Sequence, residues 1–277
     1  MKNRLLSLIM LLLILAGAAR MISQEIIYTE AVRTLHDMKE DADDIRNMQF
    51  SEQTISLMYN LNKYSNMIPG EILAALYPET EGDYLRFPQI LNVTDILKRK
   101  NLYMKEGREA YERVTAYYGA IWNDIKCFPV SSDAKAAYEN SWMFERNYGG
   151  ERGHEGTDLM PELNISGYYR IYSMTDGVVE KIGWLPLGGY RIGIRSPSGG
   201  YFYYAHLDSY AREYAKGEIV HAGEVLGYMG DTGYGEEGTR GQFPVHLHLG
   251  IYVNTGDGKE VSINPYWILR YSQQAGR

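Results

Sequence analysis

The chain has 277 residues, 45% of them hydrophobic, which is enough apolar material for a substantial core. Its formal charge of −7, with no dense Lys/Arg cluster, lacks the phosphate-neutralising footprint of a nucleic-acid binder. One cysteine, Cys127, excludes an internal disulfide and a Cys-based zinc site. It reads as a small buried residue, since no histidine stands near it in sequence to activate a nucleophile.

Residues 1–22 read as a signal peptide or membrane anchor. Lys2 and Arg4 precede an apolar run from Leu5 to Ala19 that ends in AGAA. A positive start, a short apolar centre and small residues after it describe an export signal, with a cleavage position after Ala18. The run is shorter than the roughly 20 residues that span a bilayer. Met21 and Ile22 extend it past Arg20, so a membrane tether through residues 5–19 stands beside the cleaved signal as a second reading. No Cys follows the run, which argues against a lipoprotein. Both readings place the rest of the chain outside the cytoplasm, in the wall or on the cytoplasmic membrane.

Residues 23–125 read as a helical spacer or accessory domain. Ile27, Val32, Leu35, Met38, Ile45 and Met48 recur at the separations of an amphipathic helix. Ser51 caps a second helix carrying Ile55, Leu57, Met58 and Leu61. Pro69 and Gly70 break the chain before a short helix, EILAALY, whose start Glu71 favours. Thr94 or Asp95 opens another, and Lys105 to Asp124 reads as a long, polar, Tyr-rich helix. His36 lies on an acidic face and reads as solvated. No catalytic constellation occurs here. A spacer that holds the following domain away from a membrane is preferred over a lid.

From residue 126 to 277 the pattern changes. Pro129, Ser131, Ser132 and Asp133 form a connection, after which short β-like runs alternate with Gly-rich turns: VVEKIGW, YRIGIRS, YFYYAHL, EVLGYMG and VHLHLGIYV. Such spacing predicts an all-β antiparallel unit. The fold class expected for the whole chain is therefore multidomain α and β, a helical region followed by an antiparallel-sheet core.

Val245 to Val253 organises this unit. Strict alternation puts Val245, Leu247, Leu249, Ile251 and Val253 on one face, and His246, His248, Gly250 and Tyr252 on the other. An HxH pair alone is equally compatible with ordinary hydrogen-bonded histidines and with metal ligands. His154 and Asp158, in HEGTD, supply further ligands. Gly153, Gly156 and Pro161 disfavour a helix there. In extended geometry residues 154, 156 and 158 share a face, and Gly156 leaves room for an ion. Nitrogens from His154 and His248 with an oxygen from Asp158 suit zinc, leaving a fourth position to water.

HEGTD, a Tyr-rich strand ending in AHL, a Gly-rich segment and then HxH resemble, in that order, the lysostaphin or LytM family of bacterial zinc metalloendopeptidases, which hydrolyse peptidoglycan. The resemblance covers roughly Phe128 to Leu269. It implies one Zn2+ per chain held by His154, Asp158 and His248, with His206 and His246 as the catalytic pair. It also implies a compact antiparallel β core and, as partner, the peptides of the cell wall, in a stem peptide or its cross-bridge. Zinc would polarise the scissile carbonyl and lower the pKa of its water to about 7. No HExxH occurs, which excludes the thermolysin-type arrangement.

Along YFYYAHL, alternation groups His206 with Phe202 and Tyr204, and either face of that strand is able to bury it. His221 reads as a surface residue outside the site. The glycines from Gly230 to Gly241 predict a loop that forms one groove wall; no GxxxxGK[ST] pattern makes it a phosphate loop. Two rival readings remain in view: a non-catalytic wall-binding or regulatory module, and a cupin-like metalloprotein. The first conflicts with the presence of all five site residues, and the second with the lack of any histidine after His248.

Overall fold

The computed structural model describes residues 2–85, 92–146 and 150–275; Met1 and residues 276–277, at the outer ends of the expected 1–22 and 126–277 units, lie outside it. The helical region contains α1 (Lys2–Asp37), α2 (Asp43–Asn47), β1 (Gln49–Phe50), α3 (Glu52–Ser65), α4 (Pro69–Thr80), β2 (Asp83–Tyr84), α5 (Val93–Glu106) and α6 (Arg108–Trp122). The β region contains β3 (Glu145–Arg146), β4 (Arg152–Gly153), β5 (Thr157–Leu159), β6 (Arg170–Tyr172), β7 (Gly177–Leu185), β8 (Gly189–Arg195), β9 (Tyr201–Tyr210), β10 (Ile219–Val220), β11 (Val225–Met229), β12 (Leu247–Asn254), β13 (Glu260–Ile263) and α7 (Tyr266–Ala275).

The apolar start and the first amphipathic stretch form one continuous helix. Leu6, Ile9 to Leu15, Met21, Ile22 and Ile26 are exposed, and Ile27 is exposed as well, whereas Leu35 is fully buried. Ile9–Asp37 is long and apolar enough to cross a membrane by length and composition. Arg113 of α6 caps the end of α1 at carbonyls of its last turn and of the residue just past it. The guanidinium donates to Leu35 O at 2.8 Å, His36 O at 2.9 Å and Met38 O at 3.3 Å, supplying partners that a helix C-terminus lacks. Met38, Ile45 and Met48 are buried but lie beyond α1, so the six apolar residues from Ile27 to Met48 do not share one helix face.

Ser51 caps α3, its hydroxyl accepting from Thr54 N. Pro69 and Gly70 do not break the chain before α4; Pro69 is its first residue, where a missing N–H costs nothing. The cap of α5 is Asn92 rather than Thr94 or Asp95. Gly107 divides the helix expected from Lys105 to Asp124, and α6 is amphipathic, with Arg108, Glu109 and Glu112 exposed on its polar face. It buries Tyr111, Val114, Tyr117, Tyr118, Ile121 and Trp122. Tyrosine serves in this core where its ring packs and its hydroxyl finds a carbonyl, as Tyr111 and Tyr117 do and Tyr118 does not. Tyr111 donates to Glu71 O at 3.2 Å and Tyr117 to Glu40 O at 3.0 Å.

The large sheet runs β10-β7-β8-β9-β11-β6, with β12 joining β9, β5 and β13; its pairings are all antiparallel. One face packs on the helical region. α6 lies against β12 and α3 against α7, and buried residues from both regions form one hydrophobic cluster. Polar contacts lock the seam. Arg46 donates to Ser262 O at 3.0 Å and Ser262 Oγ at 2.7 Å, and Asn264 Nδ2 donates to Asn47 O at 3.1 Å. The opposite face carries the groove.

Candidate active site

Leu247, Leu249, Ile251 and Val253 are fully buried on the core side of β12, so alternation turns His248, Gly250 and Tyr252 to the groove. β5 pairs beside it with His248 opposite Asp158, and residues opposite each other in a ladder share a face. His154 precedes β5 and is 2% exposed. Gly156 makes the approach possible, since a Cβ there would lie 2.7 Å from His248 Nε2 and from Leu249 O.

Three donor atoms converge. His154 Nε2 is 3.1 Å from Asp158 Oδ1 and 3.1 Å from His248 Nδ1, and His248 Nδ1 is 3.0 Å from Asp158 Oδ1. Ligand atoms about 2.05 Å from a tetrahedral zinc stand about 3.3 Å apart, so the spacing fits such an ion. The tautomer fits too. His154 Nδ1 lies 3.3 Å from Ser141 O and 3.0 Å from Ser141 Oγ; because a carbonyl only accepts, Nδ1 carries the proton and Nε2 presents its lone pair. Arg146 Nη2 holds Asp158 Oδ2 at 2.5 Å, leaving Oδ1 to face the imidazoles. Burial would raise the Asp158 pKa, but the imidazoles of His154, His248 and His246 around it outweigh that effect and hold the carboxyl far below its ordinary range. Burial lowers the His248 pKa, against the raising effect of Asp158. The group is thus anionic and the ring neutral near pH 7, as metal ligation requires.

His246 and His206 flank this cluster. His246 Nε2 is 3.7 Å from Asp158 Oδ1, and its Nδ1 donates to Pro244 O at 2.8 Å. His206 Nδ1 donates to Thr232 O at 2.7 Å. Its ring centroid lies 4.7 Å from that of His246 and 6.0 Å from that of His248. Burial lowers the His206 pKa well below 6.5, aided by repulsion from His246 and His248.

Simple alternation does not put His206 there. It groups His206 with Phe202 and Tyr204, which are fully buried on the core side. A bulge reverses the ring: His206 has φ +61°, and the β8–β9 register shifts between Tyr190 and Ile192. The partner strand changes at the same point, with Tyr201 to Ala205 pairing β12 and Leu207 to Tyr210 pairing β11.

The groove has a volume of about 780 Å³, and every residue that lines it lies at or beyond Arg146. The Gly-rich segment supplies Tyr234 and Phe243 to its lining, and the Phe243 ring lies 4.6 Å from His206 and 5.1 Å from His246. His36 and His221 are far more exposed, at 81% and 77% of their side chains. Cys127 donates to Ser173 O at 3.0 Å, and burial raises its pKa, so it is not a nucleophile. Sequence reasoning missed Ser141, Arg146 and Phe243. Nothing local marks the first two, whereas a large aromatic in a Gly-rich loop was a readable signal for the third.

Comparison with known proteins agrees with this geometry. The profile described as Peptidase family M23 matches residues 152–265. An L-Ala--D-Glu endopeptidase of Bacillus subtilis (strain 168) is 41% identical over 153 residues, 55% of this chain; the match spans 45% of that relative. A crystal structure of a candidate glycyl-glycine endopeptidase lytM from Ruminococcus gnavus is 47% identical, with a TM-score of 0.74 over 88% of this chain and 96% of that one. The likeness to that structure therefore takes in the helical region as well as the β region. On the strength of that near-complete match, the chain belongs to peptidase family M23.

Proposed function

We propose that this protein is an exported zinc metalloendopeptidase that hydrolyses peptide bonds of bacterial peptidoglycan. The observation that carries the reading is the convergence of His154 Nε2, Asp158 Oδ1 and His248 Nδ1 beside two further imidazoles on a groove floor. His154, Asp158 and His248 are the residues that would hold the ion, one per chain. Zinc supplies Lewis acidity toward a scissile carbonyl and makes water a nucleophile near neutral pH.

The chain's own groups do the rest. His246 and His206 each have Nδ1–H tied to a carbonyl, so each presents Nε2 as a proton acceptor. The ring that takes the water's proton becomes an imidazolium, able to steady the tetrahedral oxyanion and to return the proton to the leaving amine. Phe243 and Tyr234 set their rings against His206, and the Arg146 guanidinium orients Asp158 by holding its Oδ2. The two named relatives differ in the bond they are described as cutting, one L-Ala–D-Glu and the other glycyl-glycine. For this chain both a stem peptide and a cross-bridge fall within the substrate class.

The exposed apolar length of α1 supports a signal or a membrane tether at residues 1–22, with residues 23–125 an accessory unit and residues 126–277 the peptidase domain outside the cytoplasmic membrane. The test combines metal analysis with digestion of sacculi by the intact protein and by His246→Ala. About one zinc per chain and cleavage lost only in the variant support the reading; zinc without cleavage in either protein overturns it.

A further inference from the structure

The groove continues from the histidines across β9 to β8, where its lining includes Arg191. Ile192 and Ile194 are fully buried on the core side of β8, so Arg191 turns to the groove with Gly193. It stands opposite the His206 bulge, and the neighbouring Ala205 faces His248 on β12. This cross-strand row sets the Arg191 and His248 Cα atoms about two strand spacings, roughly 10 Å, apart.

Two nearby cations, Arg195 and Lys181, have carboxylate partners, whereas Arg152 of the groove lining shares with Arg191 an enclosed Nε that has no acceptor among the described residues. Arg195 Nη2 donates to Glu180 Oε1 at 3.0 Å and also engages Glu260, and Lys181 Nζ lies 3.9 Å from Glu180 and 4.0 Å from Glu260. Arg191 has no ion pair among the described residues, and its Nε and Nη1 are enclosed with no protein acceptor. Tyr201 and Tyr203 flank it closely enough for its charge to lower their hydroxyl pKa values, although burial raises both overall. Leaving two donors of a partly buried guanidinium unmade is unfavourable unless water or a ligand completes them. A guanidinium fork matches a carboxylate bidentately.

We propose that Arg191 is a specificity residue that grips a substrate carboxylate one or two residues from the bond cut, so that the enzyme selects acidic peptides over neutral ones. The inference rests on the hydrolase reading above and narrows it. An extended peptide advances about 3.3 Å per residue, and an arginine side chain spans the remainder of the distance. Glycyl-glycine segments carry no carboxylate there, whereas an Ala–Glu segment does.

Binding of acetyl-L-Ala-D-Glu-NH2 and acetyl-L-Ala-D-Gln-NH2 to zinc-loaded, full-length His246→Ala protein tests this by calorimetry, without turnover. The expected result is a preference of roughly 10- to 100-fold for the Glu peptide, abolished by adding Arg191→Gln and partly kept by Arg191→Lys, with Gln-peptide affinity unchanged. Arg191→Gln should keep its zinc and melt no lower than its parent, because the change breaks no ion pair among the described residues and removes two unmade donors. Equal affinities in the parent, no binding to either peptide, or a preference that survives Arg191→Gln would each overturn the proposal. Sacculus digestion by the unsubstituted protein reads the hydrolase function separately. Wall cleavage without an Arg191-dependent preference sinks only this inference, and preference without cleavage sinks the hydrolase reading while leaving Arg191 a carboxylate-binding residue.

Discussion

The helical and β regions bury polar groups to different ends. In the helical region, two buried tyrosines of α6 turn their hydroxyls to backbone carbonyls, Tyr111 to Glu71 and Tyr117 to Glu40. These bonds close on themselves and specify packing. In the β region, carbonyls fix only the outer nitrogens of His154, His206 and His246. The contrast teaches that burial does not by itself mark a site; convergence of unfinished valences does.

The largest effect that sharpens this contrast is expected from His154→Ala. It should abolish zinc retention and peptide hydrolysis together, read by elemental analysis and sacculus digestion, because two remaining ligands do not hold a structural complement of metal. A His154→Ala protein that retains its metal would break the comparison at its strongest point.

Next is His246→Ala, which should keep zinc and lose about 10²- to 10⁴-fold in rate, the usual range for a general acid or base. Loss of metal in this variant would move His246 from the proton-transfer pair to the ligand set.

Ser141→Ala removes the hydroxyl beside His154 Nδ1 but leaves the carbonyl. Zinc affinity, measured by competition with a chelator, should fall about 10- to 100-fold, as for other groups that orient a ligand. An unchanged affinity would assign the whole orienting role to the backbone carbonyl.

A smaller, graded effect concerns pH. His206 has its pKa lowered by burial and by His246 and His248, so it stays neutral and proton-accepting at pH 7. Activity of zinc-saturated enzyme should fall only in more acid solution, with the limb centred below 6.5, the ordinary histidine value, and losing up to about tenfold per pH unit. A limb centred above that value would show that His206 is not the titrating base.

On the helical side, Tyr117→Phe deletes one neutral hydrogen bond, to Glu40 O. It should lower unfolding stability by about 1 kcal/mol and leave zinc content and hydrolysis unchanged. A change in hydrolysis without a change in melting would mean that the two regions are coupled through more than packing.

The strand around His248 was legible because its period of two and the glycine at 156 are local signals, and the HxxxD spacing keeps its meaning in extended chain. The face of His206 was not legible from alternation, because the bulge arises where β9 exchanges one partner strand for another. The end of α1 was hidden for a similar reason, since Arg113 arrives from α6 to take its carbonyls. Tyr-rich α6 looked polar because its hydroxyls were counted while the distant carbonyls that receive those of Tyr111 and Tyr117 were out of sight. Ser141 and Arg146 belong to the same class, each meeting its partner only after folding.

The bulge at His206 gives β9 something like a reading frame. Upstream of it Phe202 and Tyr204 point to the core, and downstream Leu207 does so, one step out of phase with strict alternation. An in-frame loss of a single codon at Ala205 would erase the extra residue and restore unbroken alternation. The same letters would then be read in the other phase, so this strand is sensitive to its length as well as to its spelling.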